Sequence, residues 1–345
     1  MRKGMSYLLI IALLISMFQY GFSSNFVYAT EPREGVADED SNIVATGTCG
    51  SELIYTISGE EDFYSLTISG NGAMDNYSYQ SGNNAPWLEY DSSIYKLVIE
   101  EGVTTIGNYA FYHCDGICNA TLPNSLTAIG EQAFTGCTGL SSLNIPAKVT
   151  AIGSHAFYKC TGLSKIVVPE GIVNLESGVF RESGVSQIEL PEGLTSIGDI
   201  AFESCGNLKT ITLPESMTSI GNAAFSYTSL ASIYIPKNLT SIGDSNFYSS
   251  SLETIEVDED NSEYKDIDGV LFSKDGSTLI SFPYKKGGSA VSYNVPEEVT
   301  NIGSYAFHDG NSYTVGEHSW WGHPMYLKEL RIPNVTKLET SALNC

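Results

Sequence analysis

From residue 93 onward, apolar positions recur in two short patterns that alternate along the chain. One is Leu140-x-x-Leu143-x-Ile145-Pro146, repeated at Leu163/Ile166/Val168-Pro169, Leu208/Ile211/Leu213-Pro214 and Leu230/Ile233/Ile235-Pro236. In an extended chain, residues two apart share a face, so Leu143 and Ile145 turn inward and Asn144 outward, and proline ends the strand. The other is Ile-Gly-x-x-Ala-Phe, at Ile106, Ile129, Ile152, Ile197, Ile220 and Ile302, with weaker copies at Leu175/Phe180, Ile242/Phe247 and Leu338/Leu343. Starts at 106, 129, 152, 175, 197, 220 and 242 lie 22 or 23 residues apart. A coil that short cannot bury its own Leu, Ile, Ala and Phe. The pattern therefore predicts coils stacked strand on strand at about 4.8 Å around a shared core.

The period falls within the range of leucine-rich repeats, roughly 20–29 residues. Leu126-Thr127-Ala128-Ile129-Gly130-Glu131-Gln132-Ala133-Phe134-Thr135-Gly136-Cys137 resembles one half of the repeat found in bacterial surface antigens of the BspA-like type, and Leu-x-x-Ile-x-Ile-Pro resembles the other. Residues 46–92 are similar to the module that often opens such proteins, through Gly47-Thr48-Cys49-Gly50, Leu66 to Met74 and Ala85-Pro86-Trp87. The fold expected is a β-rich α/β solenoid, a leucine-rich repeat array of 22–23-residue coils with a small N-terminal β cap and a β-hairpin insertion. Repeats are expected over 93–257 and 293–345, apparently incomplete at the C-terminus. The insertion is expected over 258–292, where Lys274-Asp275-Gly276-Ser277 between two apolar runs reads as a hairpin turn. The resemblance also implies adhesion through protein contacts.

The N-terminus changes the picture by placing the chain. Arg2 and Lys3, the apolar stretch Tyr7 to Phe18 and Val27-Tyr28-Ala29 read as a signal peptide cleaved after Ala29. The apolar stretch is short of the roughly 20 residues a membrane helix needs, so no membrane span is expected and the protein is expected to be secreted or at the cell surface. Residues 30–45 read as an acidic flexible leader and 46–92 as the cap module. With 17 Lys+Arg against 40 Asp+Glu the net charge is −23, which argues against nucleic acid as a partner.

Candidate chemistry is sparse. Cys114, Cys137 and Cys160 follow the repeat Phe by three residues and share a column with Cys205 two coils on. A disulfide or metal reading competes with buried thiols acting as small apolar groups, and the odd count of seven favours packing. The five His residues fit no catalytic motif, and His113 and His155 occupy variable repeat positions. The acidic run Asp258 to Asp268 lacks the spacing of an EF-hand and reads as a solvated loop. No catalytic residue, metal or cofactor is expected. Two function classes remain. One is a non-catalytic interaction protein that binds a protein or other surface macromolecule. The other is the repeat portion of a larger secreted enzyme or polysaccharide-active protein. For the first, the outward strand positions Asn144, Val167, Glu189, Thr212, Tyr234, Glu256 and Arg331, with Trp320 and Trp321 on the His- and Trp-containing stretch from His308 to Pro324, read as an exposed loop, are the candidate contacts.

Overall fold

The computed structural model describes residues 42–343, apart from 61, 80–81, 249, 284, 287–290, 308–313, 316–317 and 320–326. The N-terminal signal segment, the leader up to residue 41, Trp320, Trp321 and Cys345 lie outside the described residues. The chain opens with an antiparallel meander of β1 (Ile43–Gly50), β2 (Leu53–Glu60) and β3 (Phe63–Gly70). Its first strand begins at Ile43, inside the stretch read as leader, because Ile43 pairs with Ser58 and Ala45 with Ile57. β3 pairs in parallel with Ile94–Ile99, which pairs in parallel with Asn119–Thr121. Meander and repeats therefore share one five-stranded sheet.

Parallel pairing then repeats at the coil period. Thr105, Ala128 and Ala151 are in register, each 23 residues from the last, and Asn174, Ser196, Ser219 and Ser241 follow at 22 or 23. The glycine after each Ile has a physical cause here. A Cβ on Gly130 would lie 2.6 Å from the Asn108 nitrogen, and one on Gly153 would lie 2.5 Å from the Glu131 nitrogen. Between these coils there is no room for a methyl group at that point. At Leu175 the glycine is replaced by Glu176, and there the row of bonds lapses, although Glu339 after Leu338 still donates to Ile302 O at 3.0 Å. Gly153 N–H donates to Ile129 O and Gly198 N–H to Leu175 O, while no backbone bond from Glu176 to Ile152 forms. The strand rows accordingly divide into one sheet ending at Ala151–Ile152 and another starting at Asn174–Leu175.

The α component expected from the sequence is absent. Among the described residues the one helical element is a 3-10 turn at Leu88–Tyr90. The reason lies in the segment after Ile-Gly. Tyr109, Gln132, His155, Ile200, Ala223, Ser245, Tyr305 and Ser341 all have φ between 51° and 59°, a left-handed conformation that no α-helix of L-residues sustains. Hydrogen bonding compensates for this strain. Tyr109, Phe111 and His113 donate their N–H groups to the carbonyls of Glu131, Ala133 and Thr135 in the next coil, while Ala110, Tyr112 and Cys114 bond back three residues within their own turn. Gln132, Phe134 and Gly136 repeat the arrangement onto Ser154, Ala156 and Tyr158, and the row continues to the bond from Tyr227 to Tyr248. Alternate amides thus tie each turn to the next coil.

Inside this frame the repeat Phe residues stack. Phe111, Phe134, Phe157, Phe180, Phe202, Phe225 and Phe247 follow one another with centroids 5.2–6.4 Å apart. Trp87, from the N-terminal segment, continues the column onto Phe111 at 5.6 Å and donates its indole N–H to Ala110 O at 2.8 Å. The Ala before Phe111, Phe134, Phe157, Phe202 and Phe225 is buried with its ring, and Val179 and Asn246 take the same buried place before Phe180 and Phe247.

The insertion is a three-stranded meander. Tyr264–Ile267 pairs with Val270–Ser273 across Asp268-Gly269, whose φ values of 52° and 72° are those of a tight left-handed hairpin turn. Val270–Ser273 pairs with Thr278–Ser281 across the Lys274–Ser277 turn, where Asp275 accepts from the Ser273 hydroxyl and the Ser277 amide. Thr278–Ser281 then rejoins the array by pairing in parallel with Asn301–Ile302. The core divides here. Leu271 packs into the first cluster, while Val270 and Phe272 pack into a second one with Phe282, Ile302 and Phe307.

Candidate interaction surface

The outward strand positions are displayed in register. Val167 sits opposite Glu189, Tyr234 opposite Glu256, and Asn294 opposite Arg331. Asn144, Val167, Glu189, Thr212, Tyr234, Glu256 and Arg331 are all exposed, Val167 at 46% and Tyr234 at 43%, which is high for side chains of that size on a strand. Their inward neighbours Ile166, Ile233 and Ile255 are buried. The face is not one continuous sheet. Ser142 contributes a single bridge to Lys165, and the segment from Thr210 to Leu213 forms no strand, so the extended pairs fall into blocks around 94–121, 165–189 and 232–257, with a further pair of Val291–Asn294 and Leu327–Arg331. Within these blocks the side chains engage one another. Lys165 Nζ lies 3.2 Å from Glu189, and the Tyr234 hydroxyl donates to Asp258 at 2.5 Å. That bond raises the Tyr234 phenol to about 12 and lowers the Asp258 carboxyl.

The turn face, which the sequence reading left as variable surface, also carries clustered side chains. Tyr79, Tyr109 and Tyr112 form a chain of rings with spacings of 5.2 and 5.6 Å, and Tyr112 meets His113 edge-on at 4.5 Å. Two coils on, Tyr158 donates to Glu182 at 3.2 Å, Lys159 and Arg181 both lie over the Tyr158 ring, and Arg181 pairs with Glu203. The signal for this face was present in the residue after each repeat Phe, where Tyr112, Tyr158, Arg181, Glu203 and Tyr248 fall. It was obscured because alternation in a left-handed turn follows no strand or helix period.

His155 belongs to this cluster. Burial and the nearby Arg181 charge lower its pKa from the usual 6.5, and its ring packs over Gly178. A base with a depressed folded pKa stays neutral in the folded state but protonates in the unfolded chain. Stability is therefore full above the usual His value and falls as pH drops below it. The thermal midpoint of the native protein should accordingly fall more between pH 7.5 and 5 than that of His155→Gln. Equal falls in the two proteins would show that His155 makes no contribution.

Cys49, Cys114, Cys137, Cys160 and Cys205 are buried and unpaired. The Sγ of Cys137, Cys160 and Cys205 donate to the Phe111, Phe134 and Phe180 carbonyls at 3.1, 3.0 and 2.9 Å. Burial pushes the Cys160 thiol up to about 12 and Cys205 to about 11, so both stay protonated. In coils without cysteine, Thr228 and Ser250 turn their hydroxyls onto the Phe carbonyl of their own coil. The column is thus a row of small side chains, five of which donate to a Phe carbonyl, while the Ser183 hydroxyl meets Cys205 Sγ at 3.5 Å. In the acidic run, Asn261 is fully buried and its side-chain amide donates to Pro236 O and Leu239 O, while Glu259, Asp260 and Glu263 are exposed. Among the described residues no group of three or more His, Cys, Asp or Glu is placed to hold a metal ion. Among them, too, no helix is long and apolar enough to cross a membrane.

Parallel strands at a fixed period, an aromatic spine and short turns define a strand-dominated leucine-rich repeat protein. The BspA type leucine rich repeat region is matched in six copies over residues 88–188 and 156–278, and the chain belongs to that family. Solved structures share the fold. A leucine-rich repeat protein from Bacteroides ovatus aligns at 21% identity and a TM-score of 0.53, covering 86% of this chain and 79% of that one. A leucine rich cell surface protein from Faecalibacterium prausnitzii aligns at 23% identity and 0.50, covering 86% and 77%. A leucine-rich repeat protein from Eubacterium ventriosum aligns at 24% identity and 0.41, covering 86% of this chain; the chain spans 62% of that protein's length. No curated protein matches the chain.

Proposed function

We propose that the protein is a non-catalytic interaction protein, exported by a signal peptide cleaved after Ala29 and acting in the medium or at the cell surface in adhesion to a protein or other macromolecule. In this reading the β1–β3 meander serves as the cap of a 22–23-residue coil array, and the strand face carries the contacts. One observation supports it above the others. The inward half of each repeat is consumed by packing, while the outward half displays mixed, exposed side chains in register, such as Val167 beside Glu189 and Tyr234 beside Glu256. Such a ladder changes chemistry from coil to coil without disturbing the fold, as a repeat array used for recognition requires. The name of the Faecalibacterium relative, a leucine rich cell surface protein, agrees with that placement.

The test is a binding screen of the purified mature chain against host, matrix and bacterial-surface components. Tyr234→Ala and Val167→Asp should weaken the partner found by at least tenfold, the loss typical of a contact that anchors an interface. Their thermal midpoints should stay within a degree or two of the native value, as for surface substitutions. Turnover of a substrate with no partner found would reverse the conclusion.

A further inference from the structure

At the hairpin the array contains an opening between two coils. The row of bonds from each turn to the next coil reaches Tyr227 and Tyr248, lapses at the hairpin, and resumes with Phe282 N–H to Ala306 O, Tyr305 N–H to Thr340 O and Phe307 N–H to Ala342 O. There the hairpin separates the coil of Tyr248 from the following one, and a cleft of about 190 Å³ opens between the turn at Ser245–Tyr248, the strand Thr278–Ser281 and the turn Gly303–Ala306. Among the described residues, the amide N–H groups of Ser245 and Phe247 find no acceptor, as is also true of Phe225 one coil earlier, whereas those of Ile200, Phe202 and Ala223 bond to the next turn. Both residues line the cleft.

The remaining lining is aromatic and acidic. Phe247 and Phe282 are buried at its base, and the half-buried Tyr248 and Tyr305 meet edge to face at 6.5 Å. Asp244 and Glu339 supply carboxylates, with Glu339 held in place by Asn301 Nδ2 at 3.1 Å and Lys337 Nζ at 2.9 Å.

We propose that this cleft binds a single neutral sugar residue, free or at the end of a glycan. The C–H face of a pyranose is apolar and lies against aromatic rings, and its edge hydroxyls donate to carboxylates in charge-assisted bonds. The same hydroxyls accept from the open amides of Ser245 and Phe247, which an organic cation could not do. Two carboxylates and a net charge of −23 disfavour acidic sugars. The open cleft has room for one ring and is too short for an extended peptide. The inference stands apart from the strand face, because it uses the opposite side of the coils and none of the residues assigned there.

Saturation-transfer NMR on the purified chain tests it, with the methyl glycosides of glucose, galactose, mannose and N-acetylglucosamine, and with glucuronate and methylguanidinium as charged competitors. At least one neutral glycoside should saturate. Tyr305→Ala and Glu339→Gln should each weaken it at least tenfold, and Glu192→Gln, an exposed carboxylate two coils earlier, should not. Asp244→Asn replaces Tyr305→Ala if the latter does not fold. Absence of saturation by all four glycosides, preference for glucuronate or methylguanidinium, or unchanged binding in both cleft variants would overturn the assignment.

Discussion

Phe157→Ala is expected to cost about 3–5 kcal/mol of folding stability, measured as a lowered urea midpoint, because it deletes a fully buried ring. The position is the most demanding kind in the column. Phe134 and Phe180 stack on its two faces, each with centroids 5.6 Å away, so the cavity cannot collapse from either side without moving a neighbouring coil. Phe157→Leu keeps most of the volume and should cost less than half as much. The loss should also be non-additive with Phe134→Ala, since the two rings are in contact. An unchanged midpoint in Phe157→Ala would mean that the column does not hold the coils together.

The second large effect is expected at a residue with no side chain. Gly153→Ala should destabilise by about 2–3 kcal/mol, as overpacking does in a close-packed interior. The added methyl would lie 2.5 Å from the Glu131 nitrogen and 2.8 Å from its Cα, both backbone atoms that cannot rotate away. Gly193→Ala is the matched control, since a Cβ there meets nothing within 4 Å. Should the two substitutions have equal effects, close approach of coils would not be the reason for glycine after isoleucine.

Much of this fold can be read directly from the residues. The spacing of Ile-Gly-x-x-Ala-Phe places Ile129, Ala133 and Phe134 and their equivalents in a shared core, and all three are buried. What could not be read is the conformation of the residues between them. Left-handed backbone is normally announced by Gly, Asn or Asp, yet Tyr109, His155 and Ile200 adopt it. They are held there by amides reaching the next coil, a long-range cause with no local signature. The same bonds remove the helix that the sequence led one to expect. The breaks in the strand face at Ser142 and Thr210 were likewise hidden, because their coils carry the same Leu-x-x-Leu/Ile-x-Ile/Leu-Pro pattern as the paired ones.

For the candidate surface, strand alternation was enough to predict which side chains face outward. It could not show that Tyr234 is tied to Asp258, a residue of the following coil. The spacing of 60 between Ile242 and Ile302 announced an insertion. It did not show that the core divides there, with Phe282 stacked on Phe307 in a second cluster apart from the column that ends at Phe247.

The direction of the turn bonds has an electrical consequence. Amides of the turn row, such as those of Tyr109, Phe111 and His113, donate toward later coils, whereas Thr127 and Gly130 at the Ile-Gly strand donate back to Thr104 and Ile106. An α-helix aligns its peptide dipoles and accumulates about half a unit charge at each end. Here the two rows run against each other, and lengthening the array adds opposing contributions in each coil. The field that an approaching partner meets at either end is therefore set by side chains. With 40 acidic residues against 17 basic ones, that field is negative, and cationic partners are the ones it draws in.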